Sequence, residues 1–90
     1  MALFEWDSEK AKRNELKHGV TFKQARSAFA DPQRKIEMDV GHSHEESRYY
    51  CYGKVEGRIL TVRFTIRSGK IRLIGAAYWR AGKKHYEQNA

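Results

Sequence analysis

The sequence has one cysteine, one proline and no long apolar run, and each shortage excludes a class of protein. A single cysteine, Cys51, cannot form an intrachain disulfide, which fits a reducing compartment. No apolar run approaches the ~20 residues that cross a bilayer, and the N-terminus reaches Glu5 too soon for a signal peptide. Apart from Pro32 there is no linker-like stretch. We therefore expect one cytoplasmic domain over residues 1–90, with no membrane association.

Negative charge is scarce in the second half of the chain. Residues 1–45 carry eight Lys/Arg and eight Asp/Glu, whereas residues 46–90 carry ten Lys/Arg and three glutamates. The whole net charge of +7 therefore lies in the second half. A one-sided excess of cations is typical of a surface that binds a polyanion. It predicts RNA as the partner, or an acidic protein segment.

Two capping signals predict two short helices after a first strand at residues 3–6. Asp7 can cap a helix that Gly19 ends, because glycine accepts the left-handed conformation at a helix C-terminus. Thr21 and Gln24 have the spacing of a capping box at the start of the second helix. Its apolar stripe must lie on a sheet and consists of Phe22, Ala25, Ala28 and Phe29.

From Ile36 onward the apolar residues alternate, as in β-strands. After a strand at residues 36–40, three more are predicted at 48–55, 58–67 and 70–79. A short last helix is predicted from Arg80 to the C-terminus. The fold class is therefore α+β: an antiparallel β-sheet with two N-terminal helices on one face and a short C-terminal helix.

Two glycine-bearing turns, Glu56-Gly57 and Ser68-Gly69, fix the strand register if each is a two-residue loop. The first turn places Tyr50 opposite Arg63, and the second places Arg63 opposite Ile74. Side chains alternate between the faces of a strand. One face, expected to lie under the helices, collects Leu60, Val62, Phe64, Ile66, Ile71, Leu73, Tyr49, Cys51 and Val55.

The same register gathers six cations and three tyrosines, with no acidic residue, on the opposite face. Guanidinium groups hold phosphates by forked hydrogen bonds, and tyrosine rings stack on unpaired bases. The face therefore predicts binding of single-stranded RNA. Arginines and tyrosines also occur on ordinary exposed strand faces, which they cover with their long apolar parts. The expected RNA-binding residues are Arg48, Tyr50, Tyr52, Lys54, Arg63, Lys70 and Tyr78; Thr65, Arg67 and Arg72 share the face.

The order and spacing of short motifs along almost the whole chain resemble the BrnT family of bacterial toxins. The motifs are Phe4-Glu5-Trp6-Asp7 with Lys10-Ala11; Asn14 with Lys17-His18-Gly19-Val20; Phe29 with Asp31-Pro32; Asp39 with His42-Ser43; Glu46 and Arg48; Gly57-Arg58; Phe64-Thr65-Ile66-Arg67; Arg72-Leu73-Ile74; and Tyr86-Glu87. The resemblance implies a RelE-like fold and a ribonuclease toxin that arrests translation. It also implies an antitoxin of the BrnA type, with a ribbon-helix-helix domain that binds DNA, in a hetero-oligomer with the toxin.

The chain departs from the family pattern at two places. Ser47 stands where the family commonly has a second glutamate before the arginine. Gly75-Ala76-Ala77 stands where the family commonly has Ser-Ala-Arg. If that arginine acts on the phosphate, a neighbour such as Arg80 must take its role, or activity is weak.

Metal-free RNA cleavage requires a base for the 2′-hydroxyl, cations for the phosphate and an acid for the leaving oxygen. Histidine titrates near pH 6.5, which makes His18 the preferred base or acid. Tyr86 could donate a proton if cations lower its pKa. No cofactor or metal is expected, because His42 and His44 on a loop have poor spacing for a closed zinc site. The candidate catalytic residues are His18, Lys17, Arg67, Arg72, Arg80 and Tyr86.

Two functions other than catalysis remain open at this stage. The chain could bind nucleic acid without cleaving it, or it could serve only as a protein-interaction partner whose basic face receives an acidic segment of the antitoxin. RNA degradation by the purified chain separates the ribonuclease from both.

Overall fold

A computed structural model describes residues 3–88, which fold as one five-stranded sheet with three α-helices. The strand order is β1-β5-β4-β3-β2, and only the β1–β5 pair is parallel. The α+β fold class is thus confirmed. The elements are β1 Phe4–Trp6, α1 Ser8–His18, α2 Phe22–Arg26, a 3₁₀ segment Ser27–Ala30, β2 Lys35–Met38, a 3₁₀ turn Val40–His42, β3 Arg48–Val55, β4 Arg58–Arg67, β5 Lys70–Ala77 and α3 Arg80–Glu87.

Both helix-capping predictions are confirmed. The Asp7 side chain accepts a hydrogen bond from the backbone N–H of Lys10 at 3.0 Å, and Gly19 ends α1 with φ 68°. Thr21 and Gln24 form the capping box of α2, with both reciprocal bonds present. α3 begins at Arg80 as predicted; the last two residues of its expected span lie outside the described part of the chain.

The apolar face of the sheet, which we call the core face, packs against α2 and the 3₁₀ segment that follows it. Phe22, Leu60, Val62 and Leu73 are fully buried in this core. The backbone of Ala28 lies so close to Gly53 that a Cβ at Gly53 would collide with it. Ile66 shares the predicted face, but it is 57% exposed because it lies at the margin of the core.

α1 runs alongside β5, beyond the point where β1 stops pairing at Leu73. The Asn14 side chain accepts from Ala76 N at 3.1 Å and donates to Ala76 O at 2.9 Å. It also donates to Val20 O at 3.0 Å. A buried side-chain amide thus satisfies backbone groups that a neighbouring strand would otherwise pair.

The register prediction is confirmed for β3 and β4 and wrong for the second half of β5. Tyr50 lies opposite Arg63 as expected. A bulge between Arg63 and Phe64 then shifts the β4–β5 pairing, so Arg63 lies opposite Gly75 instead of Ile74. The extra residue in β5 reverses the faces of all residues after it. Tyr78 therefore packs on the core, not on the face predicted for RNA.

The face opposite the core, which we call the open face, is neither free of acids nor fully open. The edge strands contribute Glu5 beside Arg72 and Glu37 beside Tyr50. These two acids escaped the prediction because it considered only β3, β4 and β5. The helix α3 also lies across the middle of this face. It buries Tyr52 to 3% exposure, so the ring of Tyr52 cannot stack on a base as predicted.

α3 reaches the sheet through a glycine and is tied down at its C-terminal end. Gly82 packs so closely on Thr61 that a Cβ would collide with the Thr61 hydroxyl. The Nζ of Lys35 donates to the backbone oxygens of Tyr86 at 2.7 Å and His85 at 3.3 Å. These contacts fix the helix as one wall of the clefts described below. No helix within residues 3–88 is long and apolar enough to span a membrane.

Candidate functional site

A cleft of about 410 Å³ opens on the open face between α3 and the 3₁₀ turn Val40–His42. Its floor is β-sheet and one of its walls is α3, so the side chains around it are held by regular structure. We call it the histidine cleft because two histidines face it. It is lined by Glu37, His42, Tyr50, Tyr52, Thr61, Arg63, Trp79, Ala81, Gly82 and His85.

His42 is oriented by a buried carboxylate. Its Nδ1 lies 2.9 Å and 3.1 Å from the two carboxylate oxygens of Asp39, which is 7% exposed. A carboxylate can only accept hydrogen bonds, so Nδ1 carries the proton and Nε2 is left free for proton transfer. Ser43 holds this turn in place by donating to Asp39 O at 2.7 Å and accepting from Arg48 N at 2.9 Å.

The ionised form of Asp39 is favoured by its surroundings. Burial raises the pKa of Asp39, but hydrogen bonding with His42 and Tyr50 and the nearby charge of Arg63 outweigh it, so the net pKa is lowered. The same interactions act on the phenol: burial and the Asp39 carboxylate raise the pKa of Tyr50. Tyr50 therefore stays protonated at neutral pH, with its hydroxyl hydrogen-bonded to Asp39.

His85 is held in a similar way on the α3 side of the cleft. Its Nδ1 lies 3.3 Å from a carboxylate oxygen of Glu37, and its ring stacks on Tyr52 at 5.2 Å with an interplanar angle of 4°. Both side chains are about half exposed, so the contact is weaker than that of His42 with Asp39. Two imidazoles, each with Nδ1 directed at a carboxylate, thus line one cleft.

Arg63 lies in the histidine cleft without a carboxylate partner. Within residues 3–88 it takes part in no salt bridge. It is half buried, and it also lines the neighbouring cleft beside α1. A guanidinium that makes no salt bridge can offer its forked donors to a phosphate.

Two of the predicted catalytic arginines are engaged elsewhere. Arg67 contacts both carboxylate oxygens of Glu46 at 3.1 Å, and Arg72 contacts Glu5 at 3.3 Å. Neither arginine lines the histidine cleft. Arg48 and Lys70 are also placed on strands of the open face but outside this cleft.

His18 and Lys17 lie at the end of α1 in a second cleft of about 550 Å³, which we call the α1 cleft. The His18 ring meets the Trp79 ring edge-on at 5.4 Å. Arg63 and Trp79 line both this cleft and the histidine cleft. The structure therefore brings His18 and Lys17 next to Arg63, on the side away from the two carboxylate-bound histidines.

Lys54, Tyr78 and Arg80 come together in a third place, a groove of about 650 Å³ between α3 and the β3–β4 turn. We call it the basic groove. Arg80 is thus separated from the histidine cleft by the helix that it begins. The groove is lined by Lys54, Gly57, Arg58, Ile59, Tyr78, Trp79, Arg80, Lys83, Lys84 and Glu87.

Tyr86 faces away from all three clefts. Its hydroxyl donates to Asp31 at 2.5 Å, and this hydrogen bond together with burial raises the pKa of Tyr86 to about 12. The lowered pKa that proton donation by Tyr86 required is therefore absent. Burial likewise raises the pKa of the Cys51 thiol to about 12, so the thiol is a poor nucleophile. Among the described residues, no three His, Cys, Asp or Glu side chains cluster as metal ligands.

Sequence reasoning did not predict the contact of Asp39 with His42, the contact of Glu37 with His85 or the position of Trp79 beside them. One signal was present: Asp39 and His42 are three residues apart, next to a serine, and form one of the family motifs. The pair of Glu37 and His85 joins residues that are far apart in the chain, and no local pattern marks it. A search for carboxylate–histidine spacings would have found the first pair and not the second.

Comparison with known proteins identifies the family. A family model described as the ribonuclease toxin BrnT of type II toxin–antitoxin systems matches residues 6–82. The match covers most of the chain, and the chain therefore belongs to the BrnT family of ribonuclease toxins. Membership implies RNA as substrate and an antitoxin as partner. No individually curated protein matches the chain.

Proposed function

We propose that this BrnT-family toxin is a metal-independent endoribonuclease that cleaves RNA in the histidine cleft. The observation that carries the proposal is the presence of an arginine without a carboxylate partner in a cleft with two carboxylate-bound imidazoles. These three side chains can supply the base, the cation and the acid that cleavage of a phosphodiester by its neighbouring 2′-hydroxyl requires. The proton transfers of this reaction balance between these side chains, the RNA and water, without a metal ion.

His42 acts as the base in this proposal. Its free Nε2 takes the proton of the 2′-hydroxyl, whose oxygen attacks the adjacent phosphorus. The Asp39 carboxylate, ionised and buried, stabilises the imidazolium that forms. The exposed position of the His42 ring leaves room for a nucleotide beside it.

Arg63 and His85 complete the reaction. The Arg63 guanidinium neutralises the charge that accumulates on the pentacoordinate phosphate. A protonated His85 gives its Nε2 proton to the departing 5′-oxygen as the P–O bond breaks. The products are a 2′,3′-cyclic phosphate and a 5′-hydroxyl, and the protons then exchange with water.

The position of the missing family arginine supports the use of Arg63. Ala77 occupies that position, is buried and pairs with Thr61, against which α3 packs. A large side chain there would compete with the helix. Arg63 lies on the adjacent strand, and Arg80 lies beyond α3 in the basic groove, so Arg63 is the better replacement.

The test is RNA cleavage by the purified chain in EDTA, with analysis of the ends of the products. Metal-independent cleavage yields fragments with 2′,3′-cyclic phosphate or its hydrolysis product, and 5′-hydroxyl ends. No cleavage in EDTA, with cleavage restored by a divalent cation, would refute the proposed mechanism. Binding without any cleavage would favour the second candidate, a non-catalytic RNA-binding module, which the absence of the Ser-Ala-Arg motif favours.

We further propose that the toxin acts in the cytoplasm, arrests translation and is neutralised by a BrnA-type antitoxin with a ribbon-helix-helix domain. The support is the family membership and the excess of positive charge, which suits an acidic antitoxin segment as well as RNA. Expression without the antitoxin should slow bacterial growth. Normal growth with folded toxin accumulating would contradict this role.

A further inference from the structure

We propose that the basic groove and Trp79 form a second RNA-binding site, which holds the single strand where it leaves the histidine cleft. The inference rests on the proposed cleavage in that cleft and extends it to the neighbouring nucleotides. The ligand class is the phosphodiester backbone of unpaired RNA.

The first support is uncompensated charge. Five cations line the groove, against one acid, Glu87. All five are exposed, and within the described part of the chain none takes part in a salt bridge. Neighbouring charges of one sign repel, and a polyanion relieves that repulsion. The cations are Lys54, Arg58, Arg80, Lys83 and Lys84.

The second support is a guanidinium that is already held in place. The Arg58 guanidinium lies 3.9 Å from the centre of the Tyr78 ring, which itself packs on the core. A cation–π contact orients the planar group and leaves its edge donors free. Less conformational entropy is therefore lost when Arg58 binds a phosphate than when a free side chain does.

The third support is the position of Trp79, which is 38% exposed and lines the histidine cleft, the α1 cleft and the basic groove. Trp79 precedes α3, so a strand that passes from the histidine cleft around the start of this helix meets the indole first. His18 supports the ring edge-on. Exposed aromatic rings are the usual platforms on which unpaired bases stack.

Continuity with the histidine cleft favours RNA over an acidic protein segment as the occupant. An acidic peptide would use the cations but would not need an aromatic ring at the junction of three clefts. RNA uses both, because its phosphates and bases alternate at regular intervals. Binding of the antitoxin, and not of RNA, in the groove would contradict the proposal.

The experiment compares two RNA lengths on a double variant, Lys83→Ala with Lys84→Ala. Neither lysine lines the histidine cleft, so cleavage of a dinucleotide that fills only this cleft should keep its rate. The KM of an RNA of about ten nucleotides should rise on the order of 10-fold, with kcat unchanged, because two phosphate contacts are lost. The matched control is Lys12→Ala with Lys23→Ala, which removes the same charge from exposed positions on α1 and α2.

Binding is measured separately with an uncleavable RNA that carries 2′-O-methyl groups, so the result does not depend on catalysis. The salt dependence of affinity should become shallower by about 0.7 per lost contact in the Lys83/Lys84 variant and stay unchanged in the control. Trp79→Ala should weaken binding of the long RNA at all salt concentrations without changing the slope, since stacking releases no counterions.

Three results would overturn the proposal. The Lys12/Lys23 control could weaken binding as much as the groove variant, which would indicate a general charge effect. The loss could be equal for short and long RNA. Finally, the groove variant could bind RNA normally and lose only the antitoxin, which would assign the groove to a protein partner. If wild-type protein binds long RNA through the groove but cleaves nothing, the groove stands and the cleavage mechanism fails.

Discussion

Arginines lie at both ends of the open face, but only those at one end form salt bridges with carboxylates. At one end, Arg67 and Arg72 are paired with Glu46 and Glu5. At the other end, Arg63 has no carboxylate partner among the described residues, and the nearby acids are directed at histidines. Both ends carry cationic side chains, but only the Arg63 end has an arginine that makes no salt bridge within the described residues. The partners of each arginine, and not the number of arginines, support the proposal that a phosphate binds at the Arg63 end.

The largest expected effect concerns His42. Replacing it with Ala removes the proposed base, and cleavage should fall by roughly 10²–10⁴-fold, the usual value of general acid–base catalysis. Asp39→Asn should cause a smaller but clear loss, because an amide can donate to Nδ1 and reverse the tautomer. The measurement is the single-turnover rate on a short RNA. His44→Ala is the control, since His44 is exposed on the same loop and outside the cleft; an equal loss there would remove His42 from the mechanism.

The next effect is measured by making the same substitution at each end of the open face. Arg63→Ala should lower the cleavage rate by about 10²-fold, the value of one preorganised donor to the transition state. Arg67→Ala should change it by less than a few-fold, because Glu46 already occupies its guanidinium. Lysine at position 63 should restore binding more than rate, since an ammonium lacks the forked donors. If Arg67→Ala is as damaging as Arg63→Ala, the electrostatic contrast between the two ends is functionally irrelevant.

A smaller effect is expected from α3, the helix that forms a wall of the cleft at the Arg63 end. Gly82→Ala places a methyl group against Thr61, and overpacking of this kind costs about 1–3 kcal/mol of the free energy of unfolding. Activity should fall with the displacement of α3. Gly41→Ala is the control for stability, because its Cβ would meet Asp39 only at 3.8 Å. Urea unfolding of both variants measures the difference, and equal stability would contradict the close packing of α3.

The smallest effect is the pH dependence of the contact that anchors α3. Because the pKa of Tyr86 is raised in the folded state, its contribution is fully present below the ordinary value of 10.0 and is lost as pH rises toward about 12. Burial raises the pKa of Asp31, but hydrogen bonds from Tyr86 and from backbone N–H groups lower it overall. The contribution of Asp31 is therefore present above 3.8 and lost as pH falls below it.

The variant that tests this pH dependence is Tyr86→Phe. At neutral pH it should lower the free energy of unfolding by about 1 kcal/mol, the usual net value of one hydrogen bond. Stability should then fall less steeply above pH 10 than in the wild type. Some alkaline loss remains, because burial also raises the pKa of Tyr52 to about 12. Identical slopes in the two proteins would contradict the contact between Tyr86 and Asp31.

The parts of the fold that were predicted correctly depend on neighbours in sequence. Asp7 and Thr21 cap helices within three residues of themselves, and the Glu56-Gly57 turn determines the β3–β4 register. The bulge at Ile74 was not predictable, because nothing in the alternation of β5 marks which residue is extra. Because of this bulge, Tyr78 lies on the core face and not on the open face where it was predicted.

The site was predicted less well than the fold because it depends on contacts between distant segments. Arg63 and Tyr50 were found from the register, but the pairing of Arg72 with Glu5 requires the position of an edge strand that the sequence pattern did not align. The pair of His85 with Glu37 requires knowing which face α3 covers. Charge composition indicated a polyanion, and only the fold shows which cations are unpaired.

The two glycines at close approaches, Gly53 under Ala28 and Gly82 on Thr61, have a consequence for the genetics of this toxin. If expression is toxic as proposed, cells that survive it should carry inactivating mutations, and a single base change in a glycine codon suffices to introduce a side chain. Such mutations at positions 53 and 82 should recur among survivors beside those at His42 and Arg63. They would produce a protein in which the proposed catalytic side chains are all present but the elements around the cleft no longer pack together.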